Sequence, residues 1–244
     1  MPYRSFNLQE AARYLHLQPA DVERLVKNQD IPFERHGERL AFRKVELEAW
    51  ASRRILRLEG RRLADYHEKT SRDVQKFTSD AALLPELIKP EYIQAALPAK
   101  TKASVLREMV LLAEKTGKVL DPKGLLEGLE NREKLCSTGL PGGLALLHTR
   151  NPDDYLFESG FIALGRTTQP IPFGAPDGRP THLFFLLACP DSSFHLHTLA
   201  RLCLMAQKTE LLHNLLAASS RDEMFEILLN SEQAVLQEFH LAGS

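Results

Sequence analysis

The chain has 244 residues, 43% of them hydrophobic and 26% charged, with a formal net charge of −1. It can bury the core of one large domain or two modest ones, and its near-neutral total excludes a global field for nucleic acid. No apolar run approaches the ~20 residues that span a bilayer and the start lacks a secretory core, so no membrane insertion is expected. Cys136, Cys189 and Cys203 are odd in number and scattered, which excludes a disulfide framework or zinc cage. A reduced cytoplasm is the expected setting, with no metal site and no cofactor. The charge is nevertheless uneven. Residues 1–62 hold 13 Lys and Arg against 9 Asp and Glu, a net of +4, which leaves −5 for the rest of the chain. A basic head on an acidic body implies two modules with different partners.

In the head, Leu8, Ala11, Ala12 and Leu15 recur at helical spacing behind Asn7, a good N-cap. A turn at residues 16–18 leads to Pro19, suited to the first turn of a second helix. That helix buries Val22, Leu25 and Val26 and turns Arg24, Lys27 and Asn28 outward. Residues 31–44 alternate apolar and polar around a His36-Gly37 turn, the pattern of a β-hairpin. Its Arg35, Arg39, Arg43 and Lys44 are of the type that meets nucleic-acid phosphates. Val45, Leu47 and Trp50 start a helix that closes the small core.

The segments NLQEAARYL, VERLV, IP, RHGER and FRKVELEAW, in this order, resemble the excisionase and MerR-like winged helix-turn-helix family. The resemblance covers about fifty residues, so residues 1–52 form a module. It implies that the second helix and the wing dock on duplex DNA. Asp21 and Glu23 add negative charge to that helix, so protein docking stands as the other reading of the head.

Residues 51–80 are highly charged and contain no proline. A helical connector over residues 53–80 is expected. Leu56, Leu63 and Phe77 lie seven or fourteen apart, with Tyr66 three beyond Leu63, a seam that could also serve a homodimer.

Strands and helices alternate from residue 81, the mark of a layered α/β domain. Residues 92–97 form a short strand. Residues 101–116 form a helix ended by Gly117, and Asp121-Pro122 opens another. Residues 143–147, 161–164 and 182–189 are strand-like, and the uniformly apolar residues 183–187 read as a strand covered on both faces. Ser220 and Glu223 have capping-box spacing before a last helix.

Chemistry concentrates where residues 144–147 end in His148. A ring at a strand tip is expected at a sheet edge, open to a partner. Upstream, Ser137, Thr138 and the Gly142-Gly143 pair supply hydroxyls and amides of the type that cradle phosphate, with Arg132 and Arg150 flanking. A neutral imidazole nitrogen is a competent nucleophile near neutral pH. His197, two residues from His195, does not share its helical face, so no metal pair is expected there. The other histidines, His67 among them, show no constellation.

The stretch NREKLCSTGLPGGLALLHTR, the turn PFGAPDGRP before HLFFLLACP, and HLHTLARL resemble enzyme IIA domains of the fructose/mannitol/nitrogen class of the phosphoenolpyruvate phosphotransferase system. The assigned module spans residues 81–232, followed by a tail, residues 233–244. The resemblance implies a mixed sheet flanked by helices. It implies that His148 accepts phosphate from an HPr-type phosphocarrier, with His195 and Arg132 as catalytic partners and Ser137, Thr138 and Arg150 around the phosphate. The expected function is a phosphohistidine carrier and regulator that couples its state to a DNA-binding or docking head. A transport component passing phosphate to a IIB subunit, and a binding module that has lost transfer, are the alternatives.

Overall fold

The computed structural model describes residues 5–74, 82–149, 155–189 and 191–242. The head begins with a strand β1 (Ser5–Phe6) and helices α1 (Leu8–Tyr14) and α2 (Pro19–Lys27). Asn7 and Glu10 cap α1 reciprocally, each side chain accepting from the other's backbone N–H at 2.9 Å. The chain reverses through His16, at φ 53°, and Pro19 starts α2. Strands β2 (Glu34–His36) and β3 (Arg39–Arg43) pair antiparallel across Gly37, whose φ of 62° suits the tight turn. β1 adds to the other edge of β3, and α3 (Lys44–Ile55) closes the head over Leu47 and Ile55.

The connector departs from a single long helix. The chain leaves α3 at Leu56 and re-enters a helix, α4 (Gly60–Val74), at Gly60, where φ is 53°. A positive φ interrupts the helical ladder, so the charged run is split between two helices. Leu63, from the proposed dimer seam, is wholly buried within the chain, and Tyr66 is partly buried. Phe77 lies outside the described residues.

The body contains α5 (Leu84–Leu87), a 3₁₀ turn (Pro90–Tyr92), β4 (Ile93–Leu97), α6 (Lys102–Glu114), α7 (Pro122–Leu135), β5 (Gly139–Leu140) and β6 (Leu144–Leu147). Then follow β7 (Phe161–Ile171), β8 (Thr181–Ala188), α8 (Ser192–Lys208), α9 (Leu211–Ala217) and α10 (Arg221–Ala242). The five strands lie in the order β4-β7-β8-β6-β5, with β4–β7 and β6–β8 parallel and the other two pairs antiparallel. β8 is central, and residues 183–187 are all buried, as a strand covered on both faces requires. Helix α6 packs on β4, β7 and β8. It comes close at Gly165, where a Cβ would lie 2.7 Å from Met109 Sδ. β7 outruns its apolar start: after Arg166 pairs with Leu183 the register shifts, and Ile171 pairs again with Thr181 near the turn into β8. α10 continues unbroken past residue 232 and still buries Val235.

Helix α8 ties head, connector and body together, since α3, α4 and α10 all pack on it. The α4–α8 contact is polar at its centre. Thr70 Oγ1 lies 2.7 Å from His197 Nδ1, the His67 and His197 rings stack at 4.7 Å, and Arg201 Nε donates to His67 Nε2 at 2.7 Å. Arg201 also pairs with Glu232 of α10 at 2.6 Å, and that carboxylate accepts the Leu83 and Leu84 N–H groups at the start of α5. All five side chains are buried, so His67 and His197 do belong to a constellation. Its members come from α4, α8 and α10, too far apart in sequence for spacing to connect them. Glu232→Ala would strand a buried guanidinium and is expected to cost about 3–5 kcal/mol in urea denaturation. The Arg201→Met, Glu232→Leu pair is expected to cost much less, because no charge is left behind.

Candidate functional site

His148 follows the last residue of β6, which lies between β8 and the short edge strand β5. Its Nδ1 lies 2.8 Å from the Leu146 carbonyl, so Nδ1 carries the proton and donates. The lone pair is thereby placed on Nε2. Arg132, on α7, donates to that nitrogen from its Nε at 3.1 Å. One of its terminal nitrogens, Nη1, donates to the Cys136 carbonyl at 2.9 Å and reaches Cys136 Sγ at 3.4 Å. The other, Nη2, has no hydrogen-bond partner, although Arg132 is only 1% exposed. No carboxylate pairs with Arg132 among the described residues. A buried guanidinium without a counter-ion is costly, and an anion beside it relieves that cost.

His195 of α8 faces His148, ring centroids 5.0 Å apart. His197 is about 200° around the same helix, at roughly 100° per residue, and faces the connector instead. Burial, then the Arg132 and His195 charges, hold the His148 imidazole well below its usual range, with the Leu146 carbonyl acting the other way. Burial and Arg132 hold His195 down to about 4. Both rings are therefore neutral at pH 7, the state in which Nε2 can act as a nucleophile. Burial pushes the nearby Cys189 thiol up to about 12, so it is no competing thiolate.

His148 differs from the expected exposed ring. It is 2% exposed, and the cavity bounded by His148, Thr149, Phe157, Leu187, Cys189 and His195 amounts to 10 Å³, room for no more than about one water. The strand tip is roofed because β8 runs alongside it and leads to Leu187 and Cys189, and His195 of α8 and Phe157 close over its end. A group the size of phosphoryl does not fit this cavity with the lining side chains as they stand. Phe157 and Cys189 were not legible as site residues, because an apolar lining looks like core in sequence.

The polar turn upstream also differs from a set of free donors. Ser137 Oγ donates to the Phe173 carbonyl at 2.8 Å and accepts from Gly139 N. Thr138 gives its N–H and its hydroxyl to the buried Glu133 carboxylate, which Lys102 pairs at 2.8 Å. The Gly142-Gly143 turn precedes β6, whereas His148 follows it. Four strand residues intervene, so Gly143 and His148 are five steps or about 17 Å apart, at ~3.3 Å per residue. Gly142 N is bound there by Asp177 at 3.0 Å. These groups shape the scaffold of the cleft. Arg150 lies outside the described residues.

On the head, Arg24, Lys27 and Asn28 are exposed on α2, and Arg35 and Arg39 on the hairpin. Several of the basic groups are partly neutralised. Arg24 pairs with Asp21, Arg43 with Glu34 at 2.5 Å and Glu46 at 3.7 Å, and Lys44 with Glu48 at 3.5 Å.

With this geometry in place, comparison with known proteins is decisive for the body. The family model described as "Phosphoenolpyruvate-dependent sugar phosphotransferase system, EIIA 2" matches residues 86–231. The chain belongs to this EIIA 2 family. A second model, described as "Helix-turn-helix domain", matches residues 5–55. A nitrogen regulatory protein of Bradyrhizobium diazoefficiens is 31% identical over 148 residues, covering 59% of this chain and 94% of the relative. The fructose-specific EIIABC component of Bacillus subtilis is 31% identical over 147 residues, 59% of this chain, which spans only 23% of that relative. The crystal structure of the nitrogen regulatory protein IIA-Ntr from Neisseria meningitidis superposes with a TM-score of 0.53 at 32% identity, over 59% of this chain and 97% of that one. The IIA mannitol structure from Escherichia coli, at 21% identity and TM-score 0.51 over 58% of this chain and 98% of that one, shares the fold. Among the described residues, no helix of this EIIA 2 family member is long and apolar enough to cross a membrane.

The buried rings set a pH dependence. His67 is held down to about 2 and His197 to about 3, in each case chiefly by burial, alongside His148 and His195. Folded values below the unfolded value of about 6.5 mean that the unfolded chain binds more protons between the two. Stability is therefore full above pH 6.5 and falls as pH drops through 6 toward 4, by up to ~1.4 kcal/mol per pH unit for each ring. Urea denaturation of the full chain at stepped pH measures this slope. His195→Gln is expected to reduce it by about one proton's share.

Proposed function

We propose that this protein is a phosphohistidine carrier of the phosphotransferase system that acts as a regulator through its helix-turn-helix head. The observation that carries the reading is the Arg132–His148 pair: a neutral nucleophile with its lone pair on Nε2, touched by a buried guanidinium that lacks a counter-ion. In the proposed reaction, His148 Nε2 attacks the phosphorus of a phosphohistidine on an HPr-type carrier. The donor's P–N bond breaks, and its imidazole keeps the bonding pair. Arg132 then donates to the new phosphoryl oxygens from Nε and from the free Nη2, and His195 flanks them. Positioning and charge stabilisation supply most of the rate in such a displacement. The HLHTL sequence at residues 195–199 and the nitrogen regulatory relatives support regulation over transport. So does the head, packed through α3 on the helix that carries His195. The fructose-specific relative and the solved complex of mannitol IIA with phosphorylated IIB support a transport role with a IIB subunit as acceptor.

Incubating the full chain with phosphoenolpyruvate, the first enzyme of the system and HPr is expected to yield acid-labile phosphate. His148→Ala should abolish the label, and Arg132→Met should slow labelling by about 10²–10³. Equal labelling of His148→Ala and wild type would remove His148 as the acceptor, and no label on wild type would leave only a binding module. Loss of the label on mixing with IIB-containing membranes and sugar would favour transport.

For the head, the full chain is expected to bind duplex DNA with an affinity that falls steeply with salt, about 0.9 log units per neutralised phosphate for each log unit of salt. Arg35→Ala with Arg39→Ala should flatten that slope by about two such contacts. No duplex binding at low salt would assign the head to protein docking.

A further inference from the structure

A cavity of 530 Å³ lies where the end of α2, the second half of α3 and the start of α4 meet. Arg53, Arg54, Arg57 and Arg62 line it, against a single carboxylate, Asp30. None of the four is in an ion pair among the described residues. Two are already fixed in place. Arg53 Nε donates to the Ala49 carbonyl at 3.1 Å, and the Arg54 guanidinium lies 5.0 Å from the centre of the Trp50 ring. Trp50 is itself pinned, its Nε1 donating to the Asp30 carbonyl at 2.5 Å. Leu25 and Leu58 complete an apolar wall, while Arg57 and Arg62 are exposed.

Four arginines line one concavity with a single carboxylate among them, and a bound polyanion would offset the like charge gathered there. Burial, with the Arg62 charge adding to it, holds Arg54 below its usual range, although Tyr66, Asp21 and Asp30 act the other way. Planar guanidiniums also match phosphate oxygens in pairs. The volume far exceeds what one inorganic phosphate fills and lies in the range of about 300–1,000 Å³ that holds small organic ligands. The aromatic and leucine wall has no use for a bare ion. We propose that this cavity binds a nucleotide, its phosphates on the arginines at the mouth and its planar ring in the slot bounded by Trp50, Leu25 and Leu58. The Asp30 carboxylate is placed to accept from an amino group on that ring. No residue lining this cavity lines the His148 cleft, so the proposal stands apart from the phosphotransfer reading.

Duplex DNA carries the same phosphate chemistry, and α2 also presents Arg24 and Lys27, so the test must separate a free nucleotide from a nucleic-acid backbone. Trp50 is the only tryptophan in the chain, and its emission reads this cavity directly. The full chain is titrated in turn with ATP, GTP, tripolyphosphate and a short duplex, with inner-filter correction. Saturable change with ATP or GTP is expected, with tripolyphosphate about tenfold weaker or worse. The Arg57→Ala, Arg62→Ala double variant should weaken the nucleotide by about tenfold or more at an unchanged melting temperature. Should that variant melt early, Arg57→Gln with Arg62→Gln repeats the measurement with side-chain length kept. The proposal is overturned if neither nucleotide gives a saturable change, if tripolyphosphate binds as tightly, or if the variants leave nucleotide binding intact. A response to duplex alone also overturns it and assigns the arginines to the DNA backbone.

Discussion

A positive charge sealed inside protein without a negative partner is the constraint around which the body is arranged. Arg132 is held between the His148 ring and the Cys136 carbonyl, both neutral. The molecule contains its own contrast. Arg201 is equally buried, yet it meets Glu232 at 2.6 Å, and that carboxylate is further satisfied by two backbone N–H groups. Arg201 therefore resembles a closed structural ion pair, whereas Arg132 retains an unfilled donor. The same residue type is closed by a carboxylate in one place and keeps an open donor in the other, and only the partner inventory distinguishes them.

Helix α8 links these two centres. His195 points to His148, and two residues later His197 points to the connector, because a helix turns neighbouring positions to different faces. Glu133, beside Arg132 on α7, is occupied by the Thr138 backbone and hydroxyl and by Lys102. Adjacent residues on α7 thus divide between fixing the polar turn and touching the His148 ring.

Much of this was readable in advance, and the rest was not, for definite reasons. The capped start of α1, Pro19 at the head of α2, the hairpin at Gly37 and the buried β8 follow from local rules that act over a few residues. The break before Gly60 leaves little trace in the sequence because a single glycine only weakens a helical pattern, and its bond to Gln207 of α8 spans 147 residues. The proximity of His148, His195 and Arg132 came from family resemblance, since no spacing rule joins positions on a strand end and two helices. Enclosure of the His148 ring depends on Phe157 and on α8, neither of which its own strand reveals. The glycine turn is close to His148 in sequence yet apart from it in space, because an extended strand carries neighbours apart faster than a helix does.

The packing of α3 and α4 on α8 has a mechanical consequence. A head hung on a flexible linker samples a volume set by linker length, and its reach toward a second site is a question of local concentration. Here Leu63, His67 and Thr70 are buried along the connecting helix, and Gln207 holds the bend, accepting from Gly60 N and donating to the Leu58 carbonyl. The two modules are thereby joined by buried contacts along α8 as well as by the chain itself, which sets the head at one bearing from the histidine cleft.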